Sequence, residues 1–321
     1  MILSDLLFQS ANIENQRQTR RGLETFIQAC ESDFQTGLIE FFRPNAERYA
    51  ALMAHGQVVN VYRLDGRLQQ IAPETWPASL LPGEQDFIVR ALSLTPQTVR
   101  LVKILVEQME TGQTLKAENV TLEEQVAQMG NLPQPSLLHF SWKNAEALAL
   151  LPGAGRPPRH SLFIAADQIL HSAGSMVALY GWREPLQQLS GHHFLSESPA
   201  WEEYVLHHAF VVTVARLLSR FEELTGRILL NALIREMNYS ASAHGWNISL
   251  TPTSVTDQAV FSSPQQAAEV YRRMLQIISS HLEISIGTNL LHLLRTESEM
   301  RLRSPYRQTF EKYLAVALQK D

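Results

Sequence analysis

Two textures of apolar and polar residues divide this chain. Short apolar runs broken by glycine and proline fill the first part, and long runs with three- and four-residue apolar spacing fill the last 120 or so residues. Residues 14–32 set Leu23, Phe26, Ile27 and Cys30 at helical spacing on one side, which predicts an amphipathic helix. Residues 37–72 then read as a small antiparallel sheet, in the runs TGLIEFFRP, ERYAALMAHG, QVVNVYRLDG and RLQQIAP. Asp65-Gly66 suits a two-residue type I′ turn, since both central residues need positive φ. That turn sets Leu64 opposite Arg67 and Tyr62 opposite Gln69. A proline-marked loop, PETWPASLLPGEQ, comes next, and FIVRALSL is either a strand or the lead-in to a helix.

Thr95-Pro96 opens a helix, with Thr at the N-cap, Pro at the first helical position, and Val99, Val102, Leu105, Val106 and Met109 along one face. Thr121 and Glu124 have the spacing of a capping box, and their helix ends at Gly130. NLPQPS (131–136) has the composition of a linker. Beyond it, SLLHFSW, AEALALLPG, SLFIAAD and MVALYGW predict a second antiparallel sheet across 136–182. Ser198-Pro199, Ser263-Pro264 and Ser304-Pro305 each announce a helix, with Gln266 completing a capping box at the second. WNISLTPTSVTDQAVF (246–261) resembles a hairpin. No internal repeat of fixed period is visible.

The pattern therefore predicts an α+β protein, with small antiparallel sheets and helices in the N-terminal portion and a mainly helical C-terminal portion. The implied domains are an α+β domain at 1–130, a small antiparallel β-rich domain or continuation at 131–195, and a mainly helical domain at 196–321. The helix from 204 to 218 is apolar around much of its circumference, so it is buried on more than one side, by its own domain or by a second subunit. Tyr204, Phe210, Val211, Val214 and Leu218 are the interface candidates on it, and a homo-oligomer is the expected assembly.

Composition narrows the function classes. Across 321 residues, 45% hydrophobic and 18% charged residues describe an ordinary globular protein. The net charge of −5 and pI near 6.1 argue against a phosphate-binding nucleic-acid protein. The single cysteine, Cys30, fits a reducing compartment and lies on an apolar helical face, where an inert thiol is expected. The N-terminus lacks the basic-then-apolar order of a signal peptide, and no apolar run approaches the roughly 18 residues of a membrane span. A cytoplasmic protein without a membrane segment is expected.

Eleven histidines invite a metal hypothesis. His207 and His208 are adjacent on a predicted helix and point about 100° apart, so they do not share an ion. Neither they nor His192-His193 come with an HExxH pattern or a cysteine pair, and no metal site is assigned. PGAGRPPRH (152–160) makes Arg156, Arg159 and His160 candidates for an anion site, although no helix follows and a Pro- and Gly-rich turn explains the segment without a ligand. Ser175 lacks the strand-turn-helix setting of an activated nucleophile. Glu202-Glu203 and Glu222-Glu223 read as solvated helix faces. No catalytic residue and no cofactor are assigned.

Gly37-Leu38-Ile39-Glu40-Phe41, Tyr49-Ala50-Ala51-Leu52-Met53 and His55-Gly56-Gln57-Val58-Val59-Asn60-Val61 resemble the bacterial PATAN-type signalling domain over residues 14–110. Val61-Tyr62 stands where that pattern has a small residue, and no receiver domain is recognisable. The resemblance implies a protein–protein interaction module and no catalytic residue. The expectation is a non-enzymatic cytosolic adaptor or regulator acting on protein partners, with no nucleic acid and no membrane. The alternatives are a small-ligand sensor or enzyme with a site assembled from dispersed residues, and a nucleic-acid-associated regulator.

Overall fold

The computed structural model describes residues 16–33, 35–42, 48–64, 69–72, 87–108, 112–130, 135–142, 145–151, 162–166, 169–172, 185–195 and 197–315. The chain divides into two units, Met1–Ser198 and Pro199–Asp321. The architecture is α+β, with sheets in the first unit and helices dominating the second.

The first unit begins with β1 (Gln16–Gln18), α1 (Arg20–Ser32), β2 (Gly37–Phe42), β3 (Arg48–Ala54), β4 (Gln57–Arg63) and β5 (Gln69–Ile71). β6 (Phe87–Ser93) then inserts between β1 and β2, giving an antiparallel sheet in the order β1-β6-β2-β3-β4-β5. α2 (Pro96–Gln108) follows. The next elements are β7 (Gln113–Ala117), α3 (Leu122–Gly130), β8 (Ser136–Trp142), β9 (Ala145–Leu151), β10 (Leu162–Ala166), β11 (Ile169–Ser172) and β12 (Leu189–Leu195). They form a second antiparallel sheet in the order β7-β12-β8-β9-β10-β11. The first unit is thus one module built twice. In each copy the sixth strand returns between the first and second, and a helix follows the first strand.

The correspondence holds residue by residue. Gly37 opposes Ser93 as Ser136 opposes Leu195, so Leu38, Ile39, Glu40 and Phe41 take the places of Leu137, Leu138, His139 and Phe140. The offset is 99 residues at Gly37 and Ser136 and 102 at Phe87 and Leu189. It reaches 103 at Pro96 and Pro199, the prolines that open the helix after each sheet. Unequal loops make the offset drift, which is why the sequence shows no fixed period.

Local signals position these elements as expected. Thr19 Oγ1 accepts from Gly22 N at 3.1 Å and caps α1, and Thr95 Oγ1 accepts from Thr98 N at 3.2 Å at the start of α2. Thr121 and Glu124 close a reciprocal capping box at 3.0 and 2.9 Å at the start of α3. α1 places Leu23, Ile27 and Cys30 over one face of the first sheet, against Ile39, Phe41, Ala51, Val61 and Val89. α2 lies on the other face, against β2 and β3, and also meets β12 of the second sheet. Squeezed between two sheets, it buries Arg100 and Lys103 as well as Val99, Val102, Leu105 and Val106, where one apolar face was predicted. FIVRALSL resolves as a strand, and the segment around His192 is another. The Asp65-Gly66 turn lies outside the described residues. Tyr62 nevertheless pairs with Gln70, one position beyond the Gln69 expected from a two-residue turn.

The second unit consists of α4 (Pro199–Thr225), α5 (Arg227–Ala243), a hairpin of β13 (Ile248–Thr251) and β14 (Ser254–Asp257), α6 (Pro264–Ile286), α7 (Thr288–Met300) and α8 (Tyr306–Leu314). α4 is the hub and packs against the other four helices and β14. This corrects the interface reading of Phe210, Val214 and Leu218: all three are buried in the chain's own core, with Phe210 stacked on Tyr271 at 4.1 Å. Five neighbouring elements of the same unit pack against this helix, which is apolar on most sides. Tyr204 and Val211 are half-buried. Gly226 (φ +83°) and Gly287 (φ +80°) turn α4 into α5 and α6 into α7, in a backbone region open essentially to glycine alone. No helix among the described residues is long and apolar enough to cross a membrane.

Candidate functional site

In the first unit the chemistry-bearing side chains sit inside the sheets. Glu40 on β2 opposes Arg90 on β6, and in the second copy His139 on β8 opposes His192 on β12. Glu40 and His139 are buried, as are Asn60 on β4 and Arg100 and Lys103 on α2. The Arg90 guanidinium lies over the Phe42 ring at 5.5 Å, and His139 stacks on His192 with ring centroids 6.0 Å apart. Burial and, secondarily, the neighbouring His139 push the His192 pKa down. Burial does the same to His193. Because β12 is a strand, His192 and His193 point to opposite faces and do not converge on one ion.

The second unit has its own polar centre. Asp257, at the end of β14, has no exposed side-chain surface. It accepts from Tyr271 Oη at 2.5 Å and from Ala259 N at 2.9 Å, and it meets His207 Nδ1 at 2.7 Å. Three elements, α4, the hairpin and α6, are tied together through this one carboxylate. Glu203 is buried, and its Oε1 accepts from Phe261 N at 3.0 Å, which corrects the reading of Glu202-Glu203 as a solvated pair. Glu202 instead holds α8, accepting from Lys312 Nζ at 2.7 Å and Tyr313 Oη at 2.6 Å. Burial alone would raise the Glu202 pKa. The two hydrogen bonds outweigh it and hold the carboxyl below its ordinary value.

The accessible features of this unit lie on its surface. A groove between α5 and α6 is lined by Glu236, Ser240, His244, Trp246, Ile277, His281 and Ile284, among others. Two polar contacts lie within it. His281 Nε2 meets Glu236 Oε2 at 2.5 Å, His244 Nδ1 meets the Ser240 carbonyl at 2.8 Å, and the His244 ring stacks on Trp246. The His281–Glu236 contact ties α5 to α6. In the same way the Arg220–Glu297 contact, at 3.5 Å, sets the end of α4 beside α7. Leu224, Ile228 and Leu229 flank Gly226 in the chain, Ile284 precedes Gly287 and Leu293 lies on α7, and all five are exposed. Ile228 and Ile284 are each 85% exposed.

Comparison of the chain with models of known families, with curated proteins and with solved structures finds no match. The site is therefore read from geometry alone.

Of the residues singled out in the sequence, Arg156, Arg159, His160 and Ser175 lie outside the described residues. Cys30 is buried in the first sheet's core, and burial, with Asp33 nearby, pushes its thiol pKa up. Among the described residues, no group of three or more His, Cys, Asp or Glu is placed to hold a metal. Sequence reading missed the exposure of Ile228, Leu229 and Ile284 because they fall within ordinary helical spacing. Only the neighbouring glycines, which stop the helices there, offered a signal.

Proposed function

We propose that this protein is a non-enzymatic regulator or adaptor that acts through contacts with protein partners. The observation carrying this reading is the exposure of Leu224, Ile228, Leu229, Ile284 and Leu293 on the helices of the second unit. Large apolar side chains left uncovered in this way are what a surface for a protein partner offers. Two further features favour recognition over chemistry. In the polar pairs of the duplicated module, Glu40 with Arg90 and His139 with His192, Glu40 and His139 are buried, and the pairs differ between copies, as structural positions do. In the α5–α6 groove, His281 bonds to Glu236 and His244 to the Ser240 carbonyl. The resemblance of residues 14–110 to an interaction module of bacterial signalling agrees with this proposal.

The test is a photo-crosslinking amino acid placed at Ile284, and separately at Phe210 as a buried control, in the full chain in its host cells. A protein adduct at position 284 and none at position 210 is expected. No adduct at position 284 would remove the reading.

A further inference from the structure

We infer that His207 is the charged member of a proton-dependent lock, whose imidazolium holds the β13–β14 hairpin and α6 against α4. The lock is built around one carboxylate. Asp257 Oδ1 accepts from Ala259 N at 2.9 Å, and Oδ2 meets Tyr271 Oη at 2.5 Å and His207 Nδ1 at 2.7 Å. The Asp257 side chain has no exposed surface, whereas 18% of the His207 side chain is exposed, so a proton can reach the imidazole from water. The hydroxyl and the amide are neutral donors. They spread the charge of the buried carboxylate without cancelling it, and a buried charge without an opposite one is costly. A protonated His207 supplies that opposite charge at hydrogen-bond distance.

The surrounding groups favour the charged imidazole. On α4, Glu203 lies one turn before His207, is buried, and accepts from Phe261 N at 3.0 Å. β14 contributes Asp257, and α6 contributes Tyr271, whose Oη is 3.4 Å from His207 Nδ1. Arg272, next to Tyr271, donates from Nε to the Tyr313 carbonyl at 2.6 Å, and Lys312 of α8 pairs with Glu202. His208, the neighbour in the chain, packs against the Tyr306 ring at 4.8 Å. Burial and, secondarily, His207 hold the His208 pKa below its ordinary value, the response of an imidazole beside a cation. An imidazolium favoured by folding gives stability that is fully present below the unfolded value of about 6.5 and is lost as pH rises through the folded pKa. That sign is opposite to the contribution of His192 and His193 in the first unit. Acid loosens the sheets through those two residues, and alkali loosens the hairpin through His207.

The experiment is a pH titration of the full chain by NMR, with the His207 ring signals assigned through the backbone. Amide exchange of residues 248–259, corrected for the intrinsic rate at each pH, is read on the same samples. The His207→Asn variant is run alongside, since its amide keeps a donor for Asp257 and carries no titrating charge. Wild-type His207 is expected to titrate above about pH 6.5, and protection of the hairpin amides to fall about tenfold as pH rises through that titration. In His207→Asn the protection is expected to stay constant over the same range. A His207 signal that titrates at or below about pH 6.5 overturns the proposal. So does wild-type hairpin protection that stays constant through the titration, or a fall that persists in the variant. The two wild-type readings decide the matter even where the variant fails to fold.

Discussion

Glu40 and His139 occupy the same position in the two copies of the sheet module. Each sits fourth in the second strand, and each opposes a nitrogen-bearing side chain of the sixth strand, Arg90 or His192. One copy thus carries an acid and a base at a buried place where the other stacks two imidazoles. Exchanging the pair tests the equivalence. His139→Glu alone puts a charge into the second sheet and is expected to cost about 3–5 kcal/mol. Adding His192→Arg should recover part of that loss, with a coupling of about 1–3 kcal/mol in a double-mutant cycle followed by denaturant unfolding. Additive effects would mean that the two positions are not cross-strand partners of this kind.

Acid sensitivity follows from the same strand. The folded pKa values of His192 and His193 lie below the ordinary histidine value because burial disfavours the imidazolium. Below an unfolded pKa of about 6.5 the unfolded chain therefore binds more protons than the folded one, and stability falls as pH drops from that value through the folded pKa values. Unfolding of the first unit, followed between pH 7 and 5, should shift to lower denaturant. A His192→Phe, His193→Phe double variant should flatten the slope, and an unchanged slope would assign the effect elsewhere.

Asp257 carries the heaviest polar load of the helical unit. Asp257→Ala leaves the Tyr271 hydroxyl and the Ala259 amide without this acceptor, and removes the contact with His207 Nδ1. A loss of about 3–5 kcal/mol is expected, and a smaller one for Asp257→Asn, which keeps one acceptor oxygen. Thermal unfolding with both variants checks the order.

At the α8 anchor, Tyr313→Phe removes the hydroxyl that donates to Glu202 and should cost about 1 kcal/mol. The Glu202 carboxyl, held below its ordinary pKa, stabilises this anchor above the unfolded value near 4.5. That contribution disappears as pH falls through the folded pKa. Hydrogen exchange of the α8 amides at neutral and acid pH would register both effects.

Phe210 and Ile284 should respond oppositely to the same change. Phe210→Asp buries an unpaired carboxylate against Tyr271 and Phe261 and is expected to abolish the cooperative unfolding transition. Ile284→Asp touches only solvent and should alter stability by no more than about 0.5 kcal/mol. Circular dichroism melts of the two variants would distinguish the core position from the surface one.

What the sequence determined by itself was local. Thr95-Pro96, Thr121 with Glu124, and Ser263-Pro264 announced helix starts because a cap is made within three or four residues. The short apolar runs of residues 37–63 announced strands, and the fold class followed from the two textures. Tertiary structure decided the rest. The insertion of β6 and β12 between the first two strands of their sheets, and with it the duplication, depends on pairings across dozens of residues that no local period records. Burial of α2 and α4 on several sides, and exposure of Ile228 and Ile284, likewise depend on which neighbours arrive from elsewhere in the chain. A side chain's hydrophobicity states that it prefers to be covered; packing alone settles what covers it.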